Sequence, residues 1–258
     1  MSADLLPTPT GSIPPISHPE AMALTAAELE RTLALLHSLD PHDWSAPTDC
    51  PDWDVRRMYL HVLGACEASA SIRENLHQMR AARAHRKAYG GPLEAALSAV
   101  QVRERSDLSP GQLVRRLAET APVTIRKRTG LPSAIRRFRL KVDGPVEETW
   151  TLGYLVDVIY LRDLWMHRVD AARATGRTLQ LSADHDGRIV ADVVAEWARR
   201  HGKAVALSLT GPAGGRFVAG EAPGRPDDPA IALDAIEFCR TLAGRAPGAG
   251  LLATIVPF

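Results

Sequence analysis

The sequence has few cysteines, almost no net charge and no long apolar run, and each of these absences excludes or disfavours a class of protein. Its three cysteines form no CxxC or other close pair, which argues against a disulfide framework and a cysteine zinc cluster. The 31 basic and 30 acidic residues nearly cancel, so nucleic acid and acidic membranes are disfavoured partners. No apolar run reaches the roughly 18 residues of a membrane span. Because residues 1–20 also lack the features of a signal peptide, we expect a cytoplasmic protein.

The remaining composition is that of an ordinary globular protein. Of its 258 residues, 45% are hydrophobic and 24% are charged, which suffices for one large or two small domains. The order of helix and strand signals predicts an α+β fold in three parts. These are a disordered tail over residues 1–20, a helical bundle over residues 21–178 and a smaller C-terminal α/β domain over residues 179–258.

The prediction of a tail over residues 1–20 rests on proline content, because this segment has five prolines among Ser, Thr and Gly. Such a segment buries too little surface to offset its ordering entropy, so we expect a mobile tail. Thr25 and Glu28 then form a capping-box pattern that predicts the start of the first helix. The helix should end at Asp40, which precedes a proline.

A second long helix is predicted from its N-cap at Asp54. Apolar or small residues recur on it at helical spacing, namely Val55, Met58, Val62, Ala65, Ser69, Ile72 and Leu76. His61 lies at the edge of this stripe. From that position it can reach the bundle interior or turn half-exposed to solvent.

The segment from Thr149 to Gly176 predicts a helix that is buried on several sides. Asp163 and His167 lie one turn apart within its most apolar stripe. An unpaired buried charge costs several kcal/mol, so these side chains need a partner, and a metal ion is one candidate. An ordinary Asp/His surface pair, or a hydrogen-bonded core histidine, remains the alternative.

Further signals complete the expected order of elements. Ser109 followed by Pro110 predicts a helix that runs to about Arg128, and the basic run over residues 126–141 suggests a solvated face. Beyond residue 179 the pattern predicts, in order, a helix over 182–200, strands over 203–209, 216–219 and 230–233, and a helix over 234–243.

Three runs together resemble the mycothiol-dependent maleylpyruvate isomerase family. They are PTDCPDWDVRRMYLHVLG (47–64), WTLGYLVDVIYLRDLWMHRVDAARATG (150–176) and DAIEFCRTLAGRAPGAGLLATIVPF (234–258). The resemblance implies a DinB-like, metal-binding four-helix bundle followed by a small α/β domain. It also implies that His61, Asp163 and His167 hold the metal and that an arginine of the second domain, for which we choose Arg245, helps bind the substrate carboxylate.

The same resemblance implies the reactants. Zinc is the metal expected first, with nickel, iron or manganese as alternatives. Mycothiol is the expected cosubstrate, used by an isomerase or S-transferase on a small electrophile. Asp163 departs from the family, in which glutamate is usual, and its shorter reach puts isomerase activity in doubt. The sequence leaves open the electrophile and whether the protein is a monomer or a dimer.

Other hypotheses stay open at this stage. The same site suits a metal hydrolase, in which a water replaces the thiol, or a non-catalytic protein that binds a metal or small ligand. Asp170 either orients a histidine ligand or pairs with Arg173, and we favour the pairing. Arg245 has a structural alternative at the end of its helix, where it would counter the helix dipole. Cys66 is expected to be a small core residue.

Overall fold

The computed structural model describes residues 6–51, 53–143, 147–220 and 230–258. The chain divides into two compact units. One is the continuous segment Ser17–Thr178, and the other joins the residues up to Ile16 with Leu179–Phe258. The predicted boundary between bundle and second domain, after residue 178, lies at the same position as this division.

Helices dominate the described part of the chain up to residue 175, and helices and strands are mixed after it. The helices are α1 (His18–His37), α2 (Val55–Ala70), α3 (Ile72–Tyr89), α4 (Leu93–Arg103), α5 (Pro110–Thr129), α6 (Ser133–Arg136), α7 (Leu152–Tyr154), α8 (Tyr160–Thr175), α9 (Arg188–His201) and α10 (Ala235–Leu242). The strands are β1 (Thr8–Pro9), β2 (Arg139–Asp143), β3 (Glu147–Thr151), β4 (Val205–Thr210), β5 (Gly215–Ala219) and β6 (Ala230–Asp234). None of the described helices combines the length and the apolar character needed to cross a membrane.

Helices α1, α2, α5 and α8 form the bundle of the first unit. They share one apolar core, to which Leu29, Leu63, Leu117 and Leu164 each contribute from a different helix. Helices α3 and α4 pack against each other and against α2. Burying one stripe of each helix in a common core is how amphipathic helices of this length gain most of their stability.

Helix α1 begins earlier than the sequence predicts. Its N-cap is Ser17, which forms a capping box with Glu20, whereas the predicted cap Thr25 lies two turns inside the helix. There the Thr25 hydroxyl donates to the carbonyl of Ala21 at 2.7 Å. Pro19 lies in the first turn, where its missing N–H costs nothing, so a residue counted toward a tail instead starts a helix.

Helix α2 starts as predicted, with the Asp54 side chain accepting a hydrogen bond from the Arg57 N–H. The predicted stripe does not continue to Leu76, because Ser71 ends α2 and caps α3. Ile72 and Leu76 are therefore exposed. A serine side chain that satisfies the first N–H groups of a new helix favours a break at this point.

The helix predicted over residues 149–176 is preceded by a strand. Residues 147–151 form β3, which pairs with β2 in antiparallel register, and the Thr151 side chain caps α7. A π-helical turn, Leu155–Ile159, then leads into α8, which ends at Gly176 in the left-handed conformation. The side chains of α8 from Leu164 to Ala172 are all buried, as expected for the central helix of a bundle.

The second unit is built on a four-stranded sheet in the order β1-β5-β4-β6. Strand β4 is antiparallel to β5 and parallel to β6, whereas β1 adds to β5 in parallel register, with Thr8 opposite Phe217. The prediction of a mobile tail is therefore wrong for residues 6–20, while residues 1–5 lie outside the described part. Local composition missed a segment whose order comes from a partner strand far along the chain.

Candidate metal centre

Helices α2 and α8 bring together the three side chains predicted to hold a metal. His61 Nε2 lies 3.8 Å from one carboxylate oxygen of Asp163, and His167 Nε2 lies 3.2 Å from the other. The two imidazole rings are nearly perpendicular, with centroids 5.6 Å apart. One ligand atom from each residue lies within 4.8 Å of the others.

This arrangement is of a size that a shared cation could occupy. Two ligands of a tetrahedral zinc ion are about 3.4 Å apart, and the two histidines lie 3.8 and 3.2 Å from the two different oxygens of the Asp163 carboxylate. Among the described residues, buried His167 Nε2 has no hydrogen-bond partner, although it faces Asp163. Two imidazoles and one carboxylate suit zinc and leave a fourth position open.

The three side chains differ in their access to solvent. The His167 side chain is 4% exposed, that of His61 is 15% exposed and that of Asp163 is 30% exposed. The site is therefore closed around His167 and open beside Asp163. A small molecule from solvent would approach along the Asp163 side.

Asp163 and His167 change each other's ionisation. Burial alone would raise the pKa of Asp163, but its attraction to the nearby His167, with a smaller contribution from His61, holds that pKa well below the usual 3.8. Burial lowers the pKa of His167, but the Asp163 charge outweighs it and the pKa lies well above 6.5. Without a metal, the pair is a carboxylate beside an imidazolium, so a cation would take the place of a proton.

The far side of His167 contacts two buried residues. Asp170 Oδ2 lies 3.7 Å from His167 Nδ1, and the Cys50 thiol donates to the same oxygen at 3.4 Å. These three side chains also meet the distances of a metal group, but the thiol-to-carboxylate hydrogen bond accounts for their contact without an ion. Asp170 therefore stands where it can orient His167, while Arg173 lies 3.6 Å from Asp49.

The loop before α2 covers the two histidines. The Trp53 ring lies 5.1 Å from the His61 ring and 6.3 Å from the His167 ring, centroid to centroid. The loop is held by Thr48, whose hydroxyl donates to the Trp53 carbonyl at 2.9 Å. The sequence did place Trp53 directly before a helix cap, a position from which side chains fold back over the first turns.

A cavity of about 20 Å³ lies on the other side of Asp163, lined by Arg128, Tyr160 and Cys66 among others. This volume holds about one water molecule. Burial raises the pKa of the Cys66 thiol, which keeps it protonated as a small core residue. That environment agrees with the interpretation of Cys66 as a small core residue.

Arg245 lies in the second unit, after α10. Its backbone N–H donates to the Arg240 carbonyl at 2.8 Å, and its guanidinium lies 3.4 Å from the Ala243 carbonyl. Contacts of this kind are those of an arginine that stabilises the end of a helix. Its proposed contact with substrate stays a prediction.

Fold and site together define a helical bundle with a candidate three-ligand metal centre, joined to a second unit of mixed helix and sheet. Residues 25–172 match the family model of the mycothiol maleylpyruvate isomerase N-terminal domain, so the chain belongs to that family. The predicted family and the α+β fold class are thereby confirmed.

Two solved structures share this fold. A crystal structure of the mycothiol-dependent maleylpyruvate isomerase has a TM-score of 0.58 and 16% sequence identity, over 93% of this chain and 92% of that chain. A histidine-to-alanine mutant of that isomerase matches over the same shares, with a TM-score of 0.57. No curated protein matches the chain significantly.

Proposed function

We propose that this protein is a metal-dependent enzyme that uses mycothiol as its nucleophile, acting as an isomerase or S-transferase on a small electrophile. The observation that carries the proposal is the convergence of His61, Asp163 and His167, which each place one ligand atom within 4.8 Å of the other two. Family membership supplies the choice of mycothiol as the thiol. The three cysteines are far apart and form no disulfide, which supports a reducing compartment such as the cytoplasm.

His61, Asp163 and His167 would hold the cation, zinc being the first candidate. When bound, such a cation lowers the pKa of a thiol that reaches it, so that the thiolate forms at neutral pH. His167 is fixed by its burial against Asp170 and Cys50, so it has little freedom to swing away. Trp53 shields both rings from water on the loop side.

The isomerase reaction needs one bond to form and the same bond to break. The thiolate adds to one carbon of an activated double bond, and the electron pair of that bond moves to the conjugated carbonyl as an enolate. The former double bond, now single, rotates, and collapse of the enolate expels the thiolate and restores the double bond in the isomerised product. An S-transferase stops after transfer of the sulfur to the electrophile. We propose Arg245 as the group that binds a substrate carboxylate, since its guanidinium offers a bidentate donor pair.

Whether this site can hold the metal depends on Asp163, which stands where glutamate is usual. Its side chain is one methylene shorter than glutamate, yet it lies within 4 Å of both histidine Nε2 atoms. The short side chain therefore still reaches the neighbourhood of both histidines. We propose that Asp163 still serves as the third ligand.

The test begins with elemental analysis of purified protein, followed by cobalt substitution. Mycothiol should change the visible absorption of the cobalt protein, and an electrophile should then consume the thiol or return it with an isomerised product. A matched addition of N-acetylcysteine shows whether the sugar portion is recognised.

The other outcomes separate the competing functions. Ester or amide turnover without any thiol effect would indicate a metal hydrolase. Metal binding without thiol binding or turnover would leave a binding protein. If Asp163→Asn binds metal as well as the native protein does, the proposed ligand set is wrong.

A further inference from the structure

A chain of buried amides connects His61 to the neighbouring helices α3 and α4. His61 Nδ1 lies 2.8 Å from Gln101 Oε1, and Gln101 Nε2 donates to Gln78 Oε1 at 2.9 Å. Gln78 Nε2 in turn donates to the Gly64 carbonyl at 2.9 Å and to Glu74 Oε1 at 2.8 Å. Gln101 is 2% exposed and Gln78 is fully buried, so water does not substitute for these partners.

The far end of this chain fixes its direction. A backbone carbonyl and an ionised carboxylate only accept hydrogen bonds, so Gln78 must turn its NH₂ group toward Gly64 and Glu74. The Gln78 oxygen then faces Gln101, which must therefore donate from its NH₂ group. The Gln101 oxygen is left facing His61, and a proton on His61 Nδ1 satisfies it.

Glu74 stays ionised and so remains an acceptor. Its partial burial would raise the carboxyl pKa, but hydrogen bonds from Gln78 and Arg105 and the Arg105 charge lower it below the usual 4.5. Arg105 Nη2 lies 2.8 Å from the same carboxylate oxygen that Gln78 contacts. The orientation of both amides therefore holds throughout the neutral pH range.

Gly64 makes room for this chain of contacts. A Cβ at position 64 would lie 2.6 Å from Gln101 Cγ and 2.7 Å from Gln101 Cβ, both closer than side-chain carbons approach. A glycine inside a helix costs about 1 kcal/mol relative to alanine. The close approach of Gln101 gives a physical reason for a glycine in the middle of α2.

We propose that Gln101 and Gln78 are positioning residues that set the tautomer of His61. They hold the proton on Nδ1 and leave the lone pair of Nε2 directed at Asp163 and His167. That this lone pair binds a metal rests on the proposed function. The tautomer itself is a property of the metal-free protein.

The tautomer is measured by two-bond ¹H–¹⁵N NMR of metal-free protein labelled on histidine, at about pH 8, with His61→Ala to assign the signals. We expect native His61 to show the Nδ1–H form. In Gln101→Met the acceptor is gone, so the Nε2–H form should become populated. Gln101→Glu loses the donor to Gln78 but keeps an acceptor next to His61, so it should still show the Nδ1–H form.

Metal affinity gives a second readout. Loss of a partner behind a metal-bound histidine typically costs about 10- to 100-fold in affinity, and we expect a loss of that size in Gln101→Met. Gly64→Ala should produce a similar loss without removing any polar group, because it displaces Gln101. Gly111→Ala is the matched control, since a Cβ there meets nothing within 4 Å.

Gln112→Met is a second control. Gln112 completes the capping box of α5, so its loss destabilises the fold without touching His61. The proposal is overturned if Gln101→Met leaves both the His61 tautomer and the metal affinity unchanged. If the tautomer switches but the native protein binds no metal, the proposed function fails and the role of the two glutamines stands.

Discussion

At the scale of single residues, the proposed centre combines one inflexible ligand with two more accessible ones. His167 is the inflexible member, because it is nearly fully buried and contacts Asp170 and Cys50 behind the ring. Asp163 is the most exposed, and it has two oxygens that face different histidines. Metal binding should therefore depend most strongly on His167.

We expect His167→Ala to lose metal binding by more than the roughly 10- to 100-fold that the loss of an outer partner costs. Circular dichroism should still show a helical fold, since the bundle core is otherwise intact. The exposed His37 provides the control, and His37→Ala should bind metal normally. Full metal occupancy in His167→Ala would contradict the assignment.

The raised pKa of His167 predicts how metal affinity changes with pH. Below that pKa the metal must displace a proton from His167, so affinity should rise by about tenfold per pH unit. Because the pKa lies well above 6.5, the rise should continue past that pH before it levels off. Competition titrations with a chelator at several pH values measure this, and a plateau that begins at pH 6.5 would show that the Asp163 effect is absent.

The sequence singled out Asp163 and His167 because a polar residue in an apolar stripe is a local signal, whereas His61, at the edge of its stripe, was assigned to the site through the family resemblance. It missed Gln101 and Cys50, which look unremarkable in the chain. Gln101 becomes informative only when α4 packs against α2, and Cys50 only when its loop folds onto α8. Contacts between distant segments carry no pattern that a single helix or loop displays.

At the scale of elements, local chemistry was easier to predict than pairing. Asp54 and Ser109 were identified as caps because each acts on the next turn of its own helix. Strand β3 was missed because it is stabilised by pairing with β2, and the residues of β3 alone show no strand pattern. The same limitation hid β1.

Helix α8 offers a test of its C-terminal cap at Gly176. The backbone there has φ of +65°, and a Cβ would meet nothing within 4 Å, so Gly176→Ala probes conformation alone. We expect unfolding to become easier by roughly 1–2 kcal/mol in urea titrations. Gly111→Ala, which has equal space and lies within α5, should show no such loss. Equal stability of the two variants would contradict this explanation.

At the scale of the whole molecule, the two units differ in how the chain builds them. The bundle uses one continuous segment, Ser17–Thr178, whereas the sheet of the other unit combines residues from both ends of the sequence. A continuous helical unit has mostly local contacts, which favours fast folding. The sheet depends on pairing over a long separation.

Removal of residues 1–12 should therefore weaken only the unit that contains the sheet. The deletion takes away β1, which pairs with β5 at Phe217 and Val218, so hydrogen exchange should accelerate in β5. Metal affinity should stay at its native value, because all three candidate ligands belong to the other unit. Unchanged exchange in β5 would show that β1 contributes nothing to its protection.

The pairing of β1 with β5 also fixes an order of events on the ribosome. Thr8 is made before its partner Phe217, which follows 209 residues later, the difference between 217 and 8. At usual rates of translation that delay is roughly 10–40 s, long enough for the intervening bundle to fold first. Until β5 has been made, β1 has no partner strand, so a chaperone that binds unpaired strands would be expected to bind β1 before β5 is made and to release it afterwards.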